Sequence, residues 1–261
     1  MWRLTRLRRP AFAVVLWLLL AAAARADDVR ILTSGGFAAA LHDLIPALEQ
    51  KVHATIVTVE GATLPNGPTS IPSRLQRGEA VDVVIMSASG LEDLTRSGHV
   101  VRGSRVDLAQ SGIGMAVRAG SPKPDISTVD ALRRALLAAK SIAYSSSISG
   151  VYLSTELFPR LGIADQVAGK CKRIDAERVG AVVARGDAEI GFQQTSELLS
   201  IPGIVYVGPL PRDVQRVTIF AAGVAATSRN QDAARAAIAF FSSPAATTAI
   251  VKSGLEPARL R

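Results

Sequence analysis

Hydroxyl side chains stand beside glycines at two points where an apolar strand pattern gives way to a helical one. At the first, Val29–Leu32 predicts a short buried strand, and Ser34 and Gly35 follow in the turn Thr33-Ser34-Gly35-Gly36. Apolar residues then recur at three- and four-residue spacing, which predicts a helix. Glycine lets the backbone approach a ligand, and the first N–H groups of a helix attract anions. The turn is either an anion site or a plain strand-to-helix connection.

A second turn repeats this chemistry more than a hundred residues later. The strand pattern ending at Tyr144 runs into Ser145-Ser146-Ser147-Ile148-Ser149-Gly150 and then into another helical pattern. If the two turns face each other across a cleft, Ser147 and Ser149 could hold an anion together with Ser34, using neutral donors alone. The alternative is that serines simply make good turns and helix caps. Both interpretations stay open on the residues alone.

The elements that must position these turns alternate along the chain. Short β-branched runs are followed by amphipathic stretches, with Ser127 predicted as the cap of one helix. Alternation of this kind indicates an α/β fold with mostly parallel sheets.

The first 26 residues have the pattern of a secretory signal. Four arginines precede the apolar block Ala11–Ala24, and Ala24-Arg25-Ala26 fits a small-x-small cleavage site. We therefore expect cleavage after Ala26 and export of the remainder, whose length suits two domains of about a hundred residues each. The alternative is a retained membrane anchor, for which the apolar block is short.

Charge and cysteine content exclude some classes of protein. The whole chain has a net charge of +8, but without the five arginines of residues 1–26 it has 25 basic and 22 acidic side chains, or +3. No basic block with interleaved aromatics is present, so a nucleic-acid partner is not expected. Cys171 is the single cysteine, which excludes an intramolecular disulfide. We expect this thiol to be partly buried and unreactive.

Sequence motifs of the common enzyme classes are missing. There is no Walker loop, dinucleotide fingerprint or zinc-type histidine spacing, and His42, His53 and His99 are scattered. Ser34 is preceded by Leu32 where a nucleophile elbow requires glycine. We expect no cofactor and no metal, and the residues identify no catalytic group.

An ordered series of segments resembles the molybdate-type periplasmic binding proteins. It comprises residues 74–88 (RLQRGEAVDVVIMSA), 108–117 (LAQSGIGMAV), 149–152 (SGVY) with 161–162 (LG), 182–191 (VVARGDAEIG) and 240–254 (FFSSPAATTAIVKSG). The resemblance covers nearly the whole exported chain and implies a type 2 periplasmic binding protein. Such a protein has two α/β lobes, each a mostly parallel sheet flanked by helices, with the ligand cleft between them. It implies residues 27–108 plus 205–261 as lobe 1 and 109–204 as lobe 2.

The resemblance also implies a function. A monomeric protein in the periplasm would capture a small anion by hinge closure and deliver it to an inner-membrane ABC importer. The family's first ligand turn usually reads Ala-Ser-Leu, so Ser34 matches its serine, and Thr69 or Ser70 falls at its second serine turn. The family's ligand tyrosine falls at Gln194, which makes an organic di- or tricarboxylate a better expectation than molybdate. The expected ligand-binding set is Ser34, Gly35, Thr69, Ser70, Arg74, Ser147, Ser149 and Gln194.

Arg74 lies one turn into the helix predicted after Thr69, where it either pairs with a ligand carboxylate or is a solvated surface residue. Two other functions remain open. The chain is also similar to periplasmic isomerases of unsaturated tricarboxylates, the aconitate isomerase type, on the same scaffold. Such a reaction needs a base, which the sequence does not identify. The third function is a ligand sensor that partners a membrane signalling protein.

Overall fold

The structure, a computed structural model, describes residues 28–64, 67–175 and 177–258, and its strands form two sheets. The predicted signal, residues 1–26, lies outside the described residues. The first sheet has the order β11-β4-β10-β3-β1-β2 and the second β7-β6-β8-β5-β9. The first contains β1 (Val29–Thr33), β2 (Ile56–Glu60), β3 (Val83–Ser87), β4 (Val106–Ser111), β10 (Thr218–Val224) and β11 (Glu256–Pro257). The second contains β5 (Ile113–Arg118), β6 (Ile142–Ser145), β7 (Cys171–Ile174), β8 (Ile190–Gln194) and β9 (Ile204–Pro209).

Helices cover both faces of each sheet. Those beside the first sheet are α1 (Gly35–Val52), α2 (Ile71–Gln76), α3 (Ala88–Arg96), α10 (Gln231–Phe241) and α11 (Thr247–Lys252). Those beside the second are α4 (Val129–Ala138), α5 (Ile148–Tyr152), α6 (Phe158–Arg160), α7 (Ala164–Ala168), α8 (Val179–Arg185) and α9 (Thr195–Leu198). A π-helical turn, Leu153–Leu157, joins α5 to α6, and 3-10 turns form at Arg212–Val214 and Pro244–Ala246.

The apolar character of the strands follows from this three-layer packing. In β1, Ile31 packs into the core shared with α1 and α10, whereas its neighbour Leu32 packs into the core beneath α2 and α3. Successive residues of a strand point to opposite faces, so a strand covered on both faces is apolar at nearly every position. The predicted two-lobe α/β fold is therefore present.

The two sheets are mixed rather than mostly parallel. β1 pairs in parallel with β2 and β3, and β6 pairs in parallel with β7 and β8. The long strand β10 enters the first sheet antiparallel to β3 and β4, and β5 runs antiparallel to β8 and β9 in the second. The antiparallel strands β5 and β10 are the ones that follow a crossing from the other sheet, and each therefore enters its new sheet from the end opposite to that of the parallel strands.

The chain passes between the sheets at Gly112, which separates β4 from β5, and over residues 210–217, which separate β9 from β10. The lobe limits expected at 108/109 and 204/205 stay a prediction, and they fall within β4 and β9. At the first crossing the side chain of Gln215 accepts the N–H of Ile113 (2.8 Å) and donates to its carbonyl (2.9 Å). The two crossing segments are therefore hydrogen-bonded to each other.

One helix cap lies one residue after its predicted position. The cap of α4 is Thr128, whose hydroxyl accepts the N–H of Ala131 at 3.1 Å. The predicted cap, Ser127, instead donates its backbone N–H to the Asp125 carboxylate (2.9 Å), so it belongs to the preceding turn.

Among the described residues, no single helix is long and apolar enough to cross a membrane. The bent pair Gln231–Phe241 and Pro244–Lys252 reaches the required length and composition only when its two parts are taken together.

Candidate functional site: the cleft between the sheets

A cavity of about 470 Å³ lies where the carboxyl ends of the parallel strands of both sheets meet. Strands β1, β3, β6 and β8 all end at its wall, and α1, α3, α5 and α9 begin there. Ligands of open α/β sheets bind at this edge, because the strand ends leave a crevice and the helix starts supply N–H donors. We call this cavity the cleft.

The first wall of the cleft is the start of α1. Ser34 precedes this 18-residue helix with extended backbone, and its side chain makes no capping hydrogen bond. Its hydroxyl is buried and lacks a hydrogen-bond partner within the described part of the chain. A buried polar atom without a partner is costly, so a group that enters the cleft and bonds this oxygen gains free energy.

The opposite wall is a cluster of serine hydroxyls at the start of α5. Ser145 Oγ lies 2.7 Å from Ser147 Oγ and 3.1 Å from Ser149 Oγ. Ser145 and Ser147 line the cleft, whereas Ser149 is buried behind them and only supports their hydroxyls. A Cβ on Gly150 would collide with the carbonyl oxygen of Ser145, so this wall depends on glycine there.

The end of β8 supplies amide groups. Gln194 is buried, its Nε2 donates to Thr218 Oγ1 on β10 (2.8 Å), and its Oε1 has no partner among the described residues. One residue of α9, Ser196, donates its hydroxyl to the carbonyl of Gly36 at 2.8 Å. Both bonds join the second sheet's elements to the first sheet's, so the two lobes touch directly beneath the cleft.

Glu197 is the group that the sequence did not identify. It lies in the first turn of α9, lines the cleft, and accepts a hydrogen bond from Gln193 Nε2 at 3.0 Å. A Cβ added to Gly35 would stand 2.5 Å from its Oε1, so this carboxyl reaches across to the start of α1. Burial raises the pKa of Glu197 to about 7, against the opposing effect of the Arg178 charge.

Arg178 is the one basic residue among the described residues that line the cleft. It precedes α8 and its guanidinium bonds Glu60 Oε2, at the end of β2, at 3.1 Å. This ion pair joins the two lobes across the mouth of the cleft. The other acids of the lining have separate partners, since Asp175 pairs with Arg173 and Glu177 with Arg185.

The expected ligand-binding residues divide into two groups. Ser34, Gly35, Thr69, Ser147 and Gln194 line the cleft. Ser70, Arg74 and Ser149 do not: Ser70 is the buried cap of α2 and bonds Ser73, and Arg74 forms a bidentate pair with Glu79 (2.9 and 3.0 Å).

The sequence signal that points to Glu197 is the polar run that begins in the last two residues of β8. The residues Gln193-Gln194-Thr195-Ser196-Glu197 form a third strand-to-helix turn, similar to the one that contains Ser34. Acidic residues are common in the first turn of a helix, because the helix dipole stabilises a negative charge there. The sequence alone therefore gives no reason to choose Glu197 over other acidic residues. Its burial and its position over Gly35 come only from the contact between lobes.

Neither metal ligands nor a reactive thiol add to the site. No group of three or more histidine, cysteine or acidic side chains able to hold a metal ion occurs in residues 28–64, 67–175 and 177–258. Burial raises the pKa of the Cys171 thiol, which disfavours the thiolate, and this residue lies away from the cleft.

Solved structures share the fold at low sequence identity. The periplasmic molybdate-binding protein of Azotobacter vinelandii superposes with a TM-score of 0.70 at 19% identity, covering 89% of this chain and all of that one. A sulfate-binding protein of Mycobacterium tuberculosis superposes with a TM-score of 0.67 at 18% identity, covering 89% of this chain and 88% of that one. These similarities establish the arrangement of two lobes around a cleft.

Sequence comparisons reach further. An aconitate isomerase of a Pseudomonas species is 44% identical over 238 residues, which cover 91% of this chain and 91% of that protein. The family model described as bacterial extracellular solute-binding protein matches residues 29–256, from the first strand to the last. This chain belongs to that family of extracellular solute-binding proteins.

Proposed function

We propose that the protein is a periplasmic isomerase that binds an unsaturated tricarboxylate in the cleft and shifts its double bond by proton transfer. The observation that carries the proposal is the Glu197 carboxyl, placed among hydrogen-bond donors with a pKa near 7. A proton carrier is most effective when its pKa lies near the working pH. The 44% identity to an aconitate isomerase supports the same reaction.

Each wall of the cleft has a part in this reaction. Arg178, which pairs with Glu60 in the ligand-free protein, binds a substrate carboxylate in place of Glu60. The guanidinium can make the same paired hydrogen bonds to either carboxylate. The hydroxyls of Ser34 and Ser147, together with the N–H groups at the start of α1, receive a second carboxylate. The substrate is then held with its methylene carbon towards Glu197.

The chemical step conserves atoms and charge. Glu197 takes a proton from the methylene carbon, and the electron pair of that C–H bond moves to form the new double bond. Negative charge accumulates on the adjacent carboxylate while the old double bond opens, and Glu197 returns a proton to the former vinylic carbon. Donors already placed around that carboxylate stabilise the charge without having to reorganise, and in many enzymes such stabilisation accounts for most of the rate acceleration.

The test is proton NMR of cis- and trans-aconitate with the protein lacking residues 1–26, in D₂O. We expect interconversion of the two isomers and replacement of the exchanged C–H proton by deuterium. Glu197→Gln should lower turnover by about 10²- to 10⁴-fold and leave substrate binding within a few fold. The matched control is Glu177→Gln, another cleft glutamate, whose carboxylate pairs with Arg185. Full turnover by Glu197→Gln would contradict the assignment of the base.

The second candidate function is a receptor that binds an anion unchanged for an ABC importer. The similarity in fold to molybdate- and sulfate-binding proteins favours it, as does a cleft rich in neutral donors. A thermal-shift screen against molybdate, tungstate, sulfate and a panel of di- and tricarboxylates separates the two. A specific ligand raises the melting temperature by an amount that grows with the ratio of its concentration to its Kd. A carboxylate that shifts the melting temperature and is recovered unchanged supports the receptor.

Export and lobe closure belong to the same proposal. The protein would reach the periplasm after cleavage following Ala26, with lobes that divide at Gly112 and within residues 210–217. A ligand that contacts both lobes favours the closed form by those additional contacts. Thr69 and Gln194 contribute to binding from the rim and the floor of the cleft. Mass spectrometry of the exported protein tests the cleavage site.

A further inference from the structure

The side chain of Gln193 is held in one orientation. This residue lies on β8, is 4% exposed, and its Oε1 accepts the backbone N–H of Val179 at 3.0 Å. A backbone N–H can only donate, so the carbonyl side of the amide must face it. The NH₂ side must then face Glu197, where Nε2 lies 3.0 Å from Oε1.

This fixed orientation distinguishes the two oxygens of Glu197. Oε1 receives a hydrogen bond from Gln193 whether the carboxyl is ionised or neutral, so it has to serve as an acceptor in both states. When Glu197 is protonated, Oε2 is therefore the favoured site of its proton, because the carbonyl oxygen of a carboxylic acid accepts a hydrogen bond more strongly than the hydroxyl oxygen does. Oε1 is also the atom that lies over Gly35, 2.5 Å from the position of an added Cβ.

We propose that Gln193 is a positioning residue, which pins Oε1 of Glu197 and makes Oε2 the oxygen that takes and returns the substrate proton. The inference rests on the proposed isomerase activity for its last step, whereas the hold of Gln193 on Glu197 is independent of turnover.

The charges around Glu197 are part of the same network. Val179 opens α8 directly after Arg178, whose guanidinium also donates to Ser200 Oγ at 3.2 Å, and Ser200 donates to the Glu197 carbonyl at 3.3 Å. Arg178 favours the ionised form of Glu197, and Glu60 favours the neutral form. Gln193 thus connects the base to the segment that carries the carboxylate-binding arginine.

The experiment compares Gln193→Met and Gln193→Glu with the unmodified protein. Met removes both hydrogen bonds at similar volume, whereas Glu keeps an acceptor for Val179 and loses the donor to Glu197. The first readout is a ¹³C NMR titration of glutamate side-chain carboxyls in ligand-free protein, with the Glu197 resonance assigned by its absence in Glu197→Gln. Loss of a hydrogen bond to a charged group raises the pKa of a carboxyl by about one unit or more. We expect the Glu197 titration to move up by that amount in Gln193→Met and further in Gln193→Glu.

The second readout is the pH dependence of aconitate turnover. The acidic limb of kcat/KM, which reports the pKa of the free enzyme, should move up with the NMR titration of the ligand-free protein. At a pH above that limb KM should change little, and a merely structural role would not produce this combination. Gln110→Met is the control, because the Gln110 amide bonds Glu256 outside the cleft. An unchanged Glu197 titration in a folded variant overturns the role of Gln193, and Gln193→Glu provides this test if the Met variant does not fold. Absent turnover in the unmodified protein instead overturns the isomerase while leaving the titration informative.

Discussion

Replacing Glu197 by glutamine should change the pH dependence of stability in a way that follows from its environment. Burial raises the pKa of this carboxyl from its ordinary value of 4.5 to about 7. Between these two values the folded protein holds a proton that the unfolded chain has released, so the free energy of unfolding falls as the pH rises. One pKa unit is equivalent to about 1.4 kcal/mol, which makes the whole loss about 3 kcal/mol. Glu197 keeps some exposure, so this value is an upper limit.

Glu197→Gln removes this titration and keeps an oxygen that accepts from Gln193. Below pH 4.5 the variant and the unmodified protein should be nearly equally stable. Above pH 7 the variant should be more stable, by up to about 3 kcal/mol, or several degrees in melting temperature for a chain of this length. Thermal melts of ligand-free protein from about pH 4 to about pH 8.5 measure the difference directly.

Glu177→Gln is the matched control, since it is the same substitution in the same cleft but at a carboxyl whose pKa is shifted in the opposite direction. The hydrogen bond from Arg185 lowers the pKa of Glu177, so its contribution to stability is present above the unfolded pKa and is lost as the pH falls through the folded value. Glu177→Gln should therefore be the less stable protein at neutral pH. A difference between Glu197→Gln and the unmodified protein that does not vary with pH would refute the buried, proton-holding carboxyl.

Three further predictions concern ligand binding and turnover. Ser34→Ala should weaken tricarboxylate binding about tenfold by calorimetry while leaving the melting temperature unchanged or slightly raised, because its hydroxyl is buried without a partner among the described residues. A lowered melting temperature would contradict this account. Arg178→Met should weaken binding by about 10- to 100-fold, whereas Glu60→Gln, which frees Arg178, should strengthen it by up to about fivefold. Weaker binding by the Glu60 variant would show that Glu60 does not compete with the ligand. Gly35→Ala places a methyl group against the Glu197 carboxyl and should lower kcat at least tenfold with a small change in KM, as steady-state kinetics would measure.

Sequence reasoning reached the residues whose role depends on local structure. Ser34 and Ser147 lie at strand-to-helix turns. Such turns can be predicted from sequence because the spacing of apolar residues changes there from a period of two to a period of 3.6. Both residues line the cleft. Gln194 was located through the resemblance to binding proteins, at the end of a strand that the pattern also predicts.

The remaining residues depend on contacts that no local pattern contains. Arg178 and Glu60 are 118 positions apart, and their pairing exists only because two lobes meet. For Arg74 the sequence leaves a ligand carboxylate and solvent as alternatives, and in the structure Glu79, which follows the same short helix, pairs with its guanidinium. The importance of Glu197 comes from desolvation by the opposite lobe. Spacing along the chain predicts where turns form, but it does not predict which side chains are buried where the two lobes meet.

The glycines at the start of α1 are explained by what lies against them. A Cβ on Gly36 would collide with the ring of Phe220, and a Cβ on Gly35 would meet Oε1 of Glu197. The resemblance to molybdate-type proteins aligns Gly35 with a position usually held by leucine, whose side chain would occupy the place of this carboxyl. Glycine there lets an acid from the second lobe reach the helix start.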